Sequence, residues 1–312
     1  MTRKVLHDGD EGVTLIVKER SRKSTPEMRQ PVHVVYGGAN LFRADTPTKL
    51  GRIALDSIES YTSNFVEFSN AFGHPLAEML PRSSKAVDSL VKKLTDNPAG
   101  IKASNFPAWL AWTVYQRTRA KLSAEPVEDF RIDFEDGYGT RPDDEEDGHA
   151  IGASSELAKA YNKGTITAFS GFRIKSLAPE TLARGVHTLN RFLDNFLEQT
   201  GGKLPSNFAV TLPKVSSTSE VKELGRLLRR IEKKWGLKEG RISIELMIET
   251  PQAIIDKKGR VPLGELIKAG KGRCTSAHFG AYDYTAALGI SAAHQHLRHS
   301  ACHFARLTML TT

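Results

Sequence analysis

The stretch DFRIDFE, residues 129 to 135, alternates apolar and charged side chains. Phe130, Ile132 and Phe134 point to one side of an extended chain, and Arg131, Asp133 and Glu135 to the other, because side chains alternate across a strand. The same split recurs in ISIELMIET, where Ile242, Ile244, Leu246 and Ile248 oppose Ser243, Glu245, Met247 and Glu249. In FSGFRIK, Phe172 and Ile174 oppose Arg173 and Lys175. Strands with only one apolar face do not suit an open parallel sheet covered by helices on both sides, which needs two. A (β/α)8 barrel of the TIM type accommodates them: the outer face packs on helices while the inner face carries polar groups toward the catalytic end. The alternative is a buried ion-pair network in which Arg131, Arg173 and Lys175 neutralise Asp133, Glu135 and Glu245, at a desolvation cost of about several kcal/mol per charge.

Short apolar runs alternate with longer amphipathic ones along the chain. PVHVVYGG, DFRIDFEDG, ITAFSGFRIKS, NFAVTLPK, RISIELMIET and CTSAHFG read as six strands. Helical patterns lie between them, for example APETLARGVHTLNRFLDNFLEQTGG, which opens after a proline and closes on a glycine pair. Strand, helix, strand in succession implies a parallel sheet, since parallel neighbours need a crossover. The first connection, from about Tyr36 to Asp129, is long, and PLAEMLPRSSKAVDSLVKKLTD and FPAWLAWTVYQRTRAKL read as extra helices within it. Residues 1 to 30 are polar and read as an extension, leaving 31 to 312 as a single α/β domain. After Asp283 only one further helix is expected, SAAHQHLRHSACHFARLTML, so about six βα units are visible and the barrel reads as incomplete.

The net charge of +8 raises a nucleic-acid role, but the densest basic segment, KELGRLLRRIEKKWGLKEGR, has the periodicity of a solvated helix face with Leu224, Leu227, Leu228 and Ile231 on its apolar side. An anionic small molecule is the better-matched partner. No apolar run approaches the roughly 20 residues of a membrane helix. The start MTRKVLHDGDEG has no apolar centre of a secretory signal, so a cytoplasmic protein without membrane contact is expected. Cys274 and Cys302 read as free thiols of a reducing compartment. His296, His299 and His303 share a face at helical spacing, which invites zinc, but without an accompanying carboxylate motif they read as polar helix surface.

Two carboxylates stand out by position. Glu249 ends the fifth strand and Asp283 follows the sixth, so both reach the C-terminal rim where barrel active sites sit. Mg²⁺ takes one or two protein carboxylates and leaves its other positions for water and substrate oxygens, and Mn²⁺ is an alternative. A 2-oxo acid can chelate such an ion, which then stabilises an enolate as a carbon–carbon bond breaks or a proton leaves. Arg173 offers a guanidinium to a carboxylate or enolate oxygen.

DFEDGYG, GFRIKS, VTLPKV, LMIETPQAI and FGAYDYTAALG, in that order, resemble the HpcH/HpaI aldolase and citrate lyase beta-subunit family of the pyruvate-kinase-like barrel superfamily, over roughly residues 30 to 310. The resemblance implies a Mg²⁺-dependent carbon–carbon lyase, often a homo-oligomer, acting on an oxo or hydroxy acid or its coenzyme A thioester. It implies Glu249 and Asp283 as metal ligands, Arg173 as a substrate-binding arginine, and Glu135 and Asp136 as the acidic pair beside substrate. Asp136, Glu135, His278 and a metal-bound water all remain candidates for the general base. Lys214 is a rim cation suited to substrate, or an ordinary surface lysine. Gly137 and Gly139 let backbone approach a ligand, or serve a tight turn.

Two departures from the family pattern stand out. Where the citrate lyase branch continues toward a basic helix, this chain has GTRPDDEEDGHA, whose five acids suit the first turn of a helix and favour a free acid over a coenzyme A ester. The last two βα units are also missing from the pattern. The alternatives to a lyase are therefore an inactive, truncated relative or interaction partner of a complete barrel and, third, a basic nucleic-acid-binding module.

Overall fold

The computed structural model describes residues 29 to 312. The N-terminal extension expected over 1 to 30 therefore falls almost wholly outside the described residues. The order is β1 (Val34–Gly38), five helices α1 (Thr46–Tyr61), α2 (Phe65–Ala71), α3 (Ser84–Asp96), α4 (Pro98–Ser104) and α5 (Phe106–Ala124), then β2 (Asp129–Asp133), α6 (Asp143–Asn162), β3 (Phe169–Arg173), α7 (Leu182–Gln199), β4 (Phe208–Leu212) and α8 (Thr218–Lys234). β5 (Ser243–Ile248), α9 (Pro251–Ile254), α10 (Leu263–Ala269), β6 (Cys274–Phe279), α11 (Ala281–Ala287) and α12 (Ser300–Thr311) complete it. All six strands expected from the sequence form, in one parallel sheet ordered β1 to β6.

The sheet is rolled into an incomplete barrel. Across a flat sheet the two outer strands would stand about 24 Å apart, at about 4.8 Å per neighbour. Instead the ring of Tyr36 on β1 lies 5.2 Å from that of His278 on β6, and the Tyr36 hydroxyl donates to Glu245 on β5. Apart from Ser170, the outer face is apolar: Phe130, Ile132, Phe172, Phe208, Val210, Ile244 and Leu246 are buried under the helices. Phe172 stacks on Phe192 of α7 with centroids 4.1 Å apart. α6 carries its acidic first turn as the sequence suggests, and α8 begins with a capping box between Ser217 and Glu220.

One irregularity keeps the inward pattern intact. Ile244 pairs with Cys274 but Glu245 pairs with Ser276, so Thr275 is an extra residue in β6. That bulge reverses the parity of the strand. Cys274 packs outward with the core while Ser276 turns inward and donates to Glu245 at 2.9 Å.

The helices between β1 and β2 hold a separate apolar cluster around Phe65, Leu94, Ala108 and Tyr115. Asn64, Asn97 and Asn105 each cap the start of a helix there by accepting backbone N–H bonds. The single helix expected over residues 75 to 96 is broken, with a 3-10 turn at Ala77–Met79 and α3 starting at Ser84. Pro81 lies between them; it has no N–H to donate and forces Leu80 into an extended conformation. The expected last helix is likewise split, since α12 starts at Ser300 and His299 precedes it, its ring accepting the Ala301 N–H at 3.2 Å. His296 therefore lies outside the helix and shares no helical face with His303. No helix of the described residues is long and apolar enough to cross a membrane.

Candidate functional site

Along the rolled inner face the charged side chains separate into two tiers. The lower tier centres on Glu245, whose oxygens accept from Tyr36, from Thr211 at 2.8 Å and from Ser276 at 2.9 Å, with Arg131 at 3.4 Å. Arg131 also bonds Asp129 at 2.8 Å. All three charged groups are buried. Burial would raise the Glu245 carboxyl, but Arg131 and the three hydroxyls outweigh it and hold it below the usual carboxylate range. In this tier the ion-pair reading of the strand charges is the correct one. Lys175, however, leaves the interior: its ammonium bonds Glu146 of α6 at 3.1 Å and the Phe134 carbonyl at 3.0 Å.

The upper tier sits at the C-terminal ends of the strands. Asp133 ends β2 and takes the Nε edge of Arg173 at 2.7 Å and its Nη2 at 2.5 Å. Asp133 also receives the N–H of Glu135 at 2.9 Å and of Gly137 at 2.8 Å, which folds the following turn back over it. A Cβ on Gly137 would stand 2.5 Å from Asp133 Oδ2, so the close approach at this glycine is to Asp133, whereas Gly139 is needed for its positive φ of 81°. Arg173 has only Nη1 left, 3.3 Å from Glu135 and 3.6 Å from Asp136. Burial alone would lower its guanidinium, but the bonds and charge of Asp133 dominate and its proton is held more tightly than usual.

Asp136, Glu249 and Asp283 converge from the ends of β2, β5 and β6, and each offers a carboxylate oxygen within 4.8 Å of the others. The two residues expected as metal ligands are thus brought together, and Asp136 joins them. Glu249 is 3% exposed. Among the described residues it receives one hydrogen bond, from the Lys214 backbone N–H to Oε1 at 2.7 Å. Gly280 makes room for it: a Cβ there would lie 2.4 Å from Glu249 Oε2. Burial, reinforced by the charges of Asp283 and Glu135, pushes the Glu249 carboxyl up to about 7 despite the Lys214 contacts. A buried carboxylate with a bare oxygen, facing two more, fits a small hard cation with oxygen ligands.

Lys214 lies among these acids. Its Nζ is 2.5 Å from Glu135 Oε1, 2.9 Å from Asp136 Oδ1 and 3.0 Å from Asp283 Oδ2. Its backbone is left-handed, φ 50°, which costs a non-glycine residue about 1–2 kcal/mol. Burial would lower the ammonium, but the three carboxylates raise it. Glu135 and Asp136 are pushed apart. Burial and the bond to Asp136 raise Glu135, whereas bonds to Glu135 and Lys214 outweigh burial and lower Asp136. His278 is lowered, first by burial and then by Arg131 and Arg173, so its ring is neutral at pH 7.

The chain belongs to the family of the domain of unknown function DUF6986. The match covers residues 19–312. No curated protein matches it. Similar solved structures include malate synthase of Haloferax volcanii as its magnesium/glyoxylate complex, with 17% identity, 59% of this chain and 52% of that chain covered, and a TM-score of 0.46. They also include its lead(II) complex, with 18% identity, 59% and 51% coverage and a TM-score of 0.45. A third is its pyruvate/acetyl-CoA ternary complex, with 20% identity, 59% and 48% coverage and a TM-score of 0.43. The chain spans about half the length of these structures.

In this DUF6986 member, strand parity placed Asp133 among the acids that Arg131, Arg173 and Lys175 could neutralise, but not which of the three it meets, because that depends on register between strands. Sequence reasoning missed Tyr36 and Asp129 as members of the lower tier, and Gly280. Tyr36 had a legible signal, an aromatic hydroxyl on the strand VVYGG, and Gly280 another, a glycine directly after β6 and before Asp283.

Proposed function

We propose that the chain is a Mg²⁺-dependent carbon–carbon lyase of the aldolase or citryl/malyl-thioester lyase type, related to the HpcH/HpaI and citrate lyase beta-subunit family. Its substrate in this reading is an oxo or hydroxy acid, free or as a coenzyme A thioester. The observation that carries the reading is the convergence of Asp136, Glu249 and Asp283 within 4.8 Å at the rim. These three carboxylates would hold the ion, with Mn²⁺ as a substitute. Bound there, it supplies a Lewis acid that stabilises negative charge on an enolate oxygen.

The remaining residues divide the work. Nη1 of Arg173 offers one charge-assisted hydrogen bond to a substrate oxygen, while Asp133 locks the rest of the guanidinium in place. Glu135, raised, and Asp136, lowered, suit opposite roles: Glu135 exchanges the reaction's proton and Asp136 stays ionised. Lys214 supplies a cation for a substrate carboxylate, and the backbone around Gly137 borders the same space. In cleavage of a 4-hydroxy-2-oxo acid, the 4-hydroxyl loses its proton, the C3–C4 bond breaks to an aldehyde and an enolate, and C3 is then protonated.

The test is a cleavage screen over 4-hydroxy-2-oxo acids and hydroxyacyl thioesters, with deuterium exchange into pyruvate as a readout of enolate formation. Chelation is expected to abolish turnover. Glu249→Gln and Asp283→Asn are each expected to lower kcat/KM by about 10³-fold, the order of several kcal/mol of charge stabilisation, with the fold retained by circular dichroism. Turnover that persists in chelator rules the mechanism out.

A further inference from the structure

One residue contacts all four rim acids around the candidate metal position. The Lys214 ammonium reaches Glu135, Asp136 and Asp283 at 2.5, 2.9 and 3.0 Å, and its main-chain N–H reaches Glu249 at 2.7 Å. Asp136 and Asp283 belong to the convergent triad. A Mg²⁺ bound to those oxygens at its usual distance of about 2.0–2.1 Å would lie close beside the ammonium, where like charges repel. The lysine has a way out. Its side chain is 34% exposed, Asp136 is 52% and Asp283 39%, so the head group can leave toward solvent while its backbone stays on Glu249.

We propose that Lys214 is an internal cation that occupies the divalent-ion position in the metal-free protein and is expelled to the rim when the ion binds, where it takes a substrate carboxylate. The inference rests on the metal-dependent reading above and adds an order to it. The ion binds first, and its arrival frees the cation that recognises the anionic substrate. The left-handed φ of 50° fits this division, because the main chain is held in place for Glu249 independently of what the four-carbon side chain does. It also supplies a clean variant. Lys214→Gly removes the ammonium, keeps the N–H on Glu249 and suits the backbone conformation better than lysine does.

The experiment is calorimetric titration of Mg²⁺ into metal-free wild type, Lys214→Met, Lys214→Gly and Lys214→Arg, without substrate. The two neutral variants are expected to bind Mg²⁺ at least about tenfold more tightly than wild type, and the arginine variant no more tightly. On unmutated protein, acetylation of Lys214 by an N-hydroxysuccinimide ester, followed by peptide mass spectrometry, is expected to rise severalfold at saturating Mg²⁺. Equal affinities in wild type and both neutral variants, or labelling unchanged by saturating Mg²⁺, overturn the displacement while leaving the metal site intact. Failure of every form to bind Mg²⁺ overturns the displacement and the metal-dependent reading together.

Discussion

Glu245 lies in β5 and Glu249 directly follows it, both point into the rolled sheet, and both are buried, 4% and 3% exposed. Three hydroxyls and Arg131 surround Glu245, and its carboxyl is held low. Glu249 receives a single backbone N–H, faces Asp283 and Glu135, and its carboxyl is pushed up to about 7. The lower tier sets two buried carboxylates, Glu245 and Asp129, against Arg131, with Glu245 held low and Asp129 raised by burial and by the charge of Glu245. In the upper tier, the cations that Asp133, Glu135, Asp136 and Asp283 meet among the described residues are Arg173 and Lys214, while Glu249 receives the Lys214 backbone N–H. Asp136 and Asp283 reach solvent, so the charge largely shielded from water is that of Asp133, Glu135 and Glu249, and such charge is costly unless paired. The contrast between the tiers is between a carboxylate whose oxygens are filled by donors and one that keeps a bare oxygen beside two other carboxylates.

The strongest way to break this comparison is at the lower tier. Arg131→Ala leaves Glu245 and Asp129 buried without their cation and is expected to cost about 3–5 kcal/mol, measured by urea unfolding, whether or not Mg²⁺ is present. A loss from Arg131→Ala that added Mg²⁺ reverses would erase the distinction. A smaller effect sharpens it at the upper tier. Gly280→Ala places a methyl 2.4 Å from Glu249 Oε2 and must move that carboxylate. Mg²⁺ affinity is expected to fall about 10–100-fold, the order seen when a ligand's support is disturbed, and the metal-free protein is expected to lose stability as well, because the methyl also lies 2.6 Å from Glu249 Cβ, a contact that side-chain rotation does not relieve.

The pH dependence of Glu249 sharpens it further. Its carboxyl is raised from 4.5 to about 7 in the folded protein. Folding therefore favours its protonated form; that stabilisation is complete below pH 4.5, declines as pH rises, and is lost above about 7. In chelator, wild type is expected to lose stability relative to Glu249→Gln between about pH 4.5 and 7, by up to about 1.4 kcal/mol per unit of pH. Mg²⁺ competes with the same proton, so its affinity should fall up to about tenfold per unit as pH drops below 7. A pH-independent difference between the two proteins would place Glu249 with Glu245, as a satisfied interior charge.

Much of this was legible in the chain. The alternation in DFRIDFE and ISIELMIET marked strands with one charged face, and the positions of Glu249 and Asp283 at strand ends marked the rim, because both signals are local and depend only on the direction of successive side chains. The six strands, their order and the long helical insertion followed from the same periodicities. Helix ends were less legible. Pro81 broke one expected helix, and α12 starts only at Ser300, after His296.

What the tertiary structure alone decided is the pairing. Arg173 is locked to Asp133, Lys175 turns out to Glu146, Thr275 is bulged so that Ser276 reaches Glu245, and the Lys214 ammonium lies among the carboxylates rather than on the surface. The residue pattern states which face a charge occupies. Only the curl and register of the sheet set the distances of a few ångströms between strands, and at those distances it is geometry that makes one glutamate a hydrogen-bonded strut and the next a proton-holding group beside two other carboxylates.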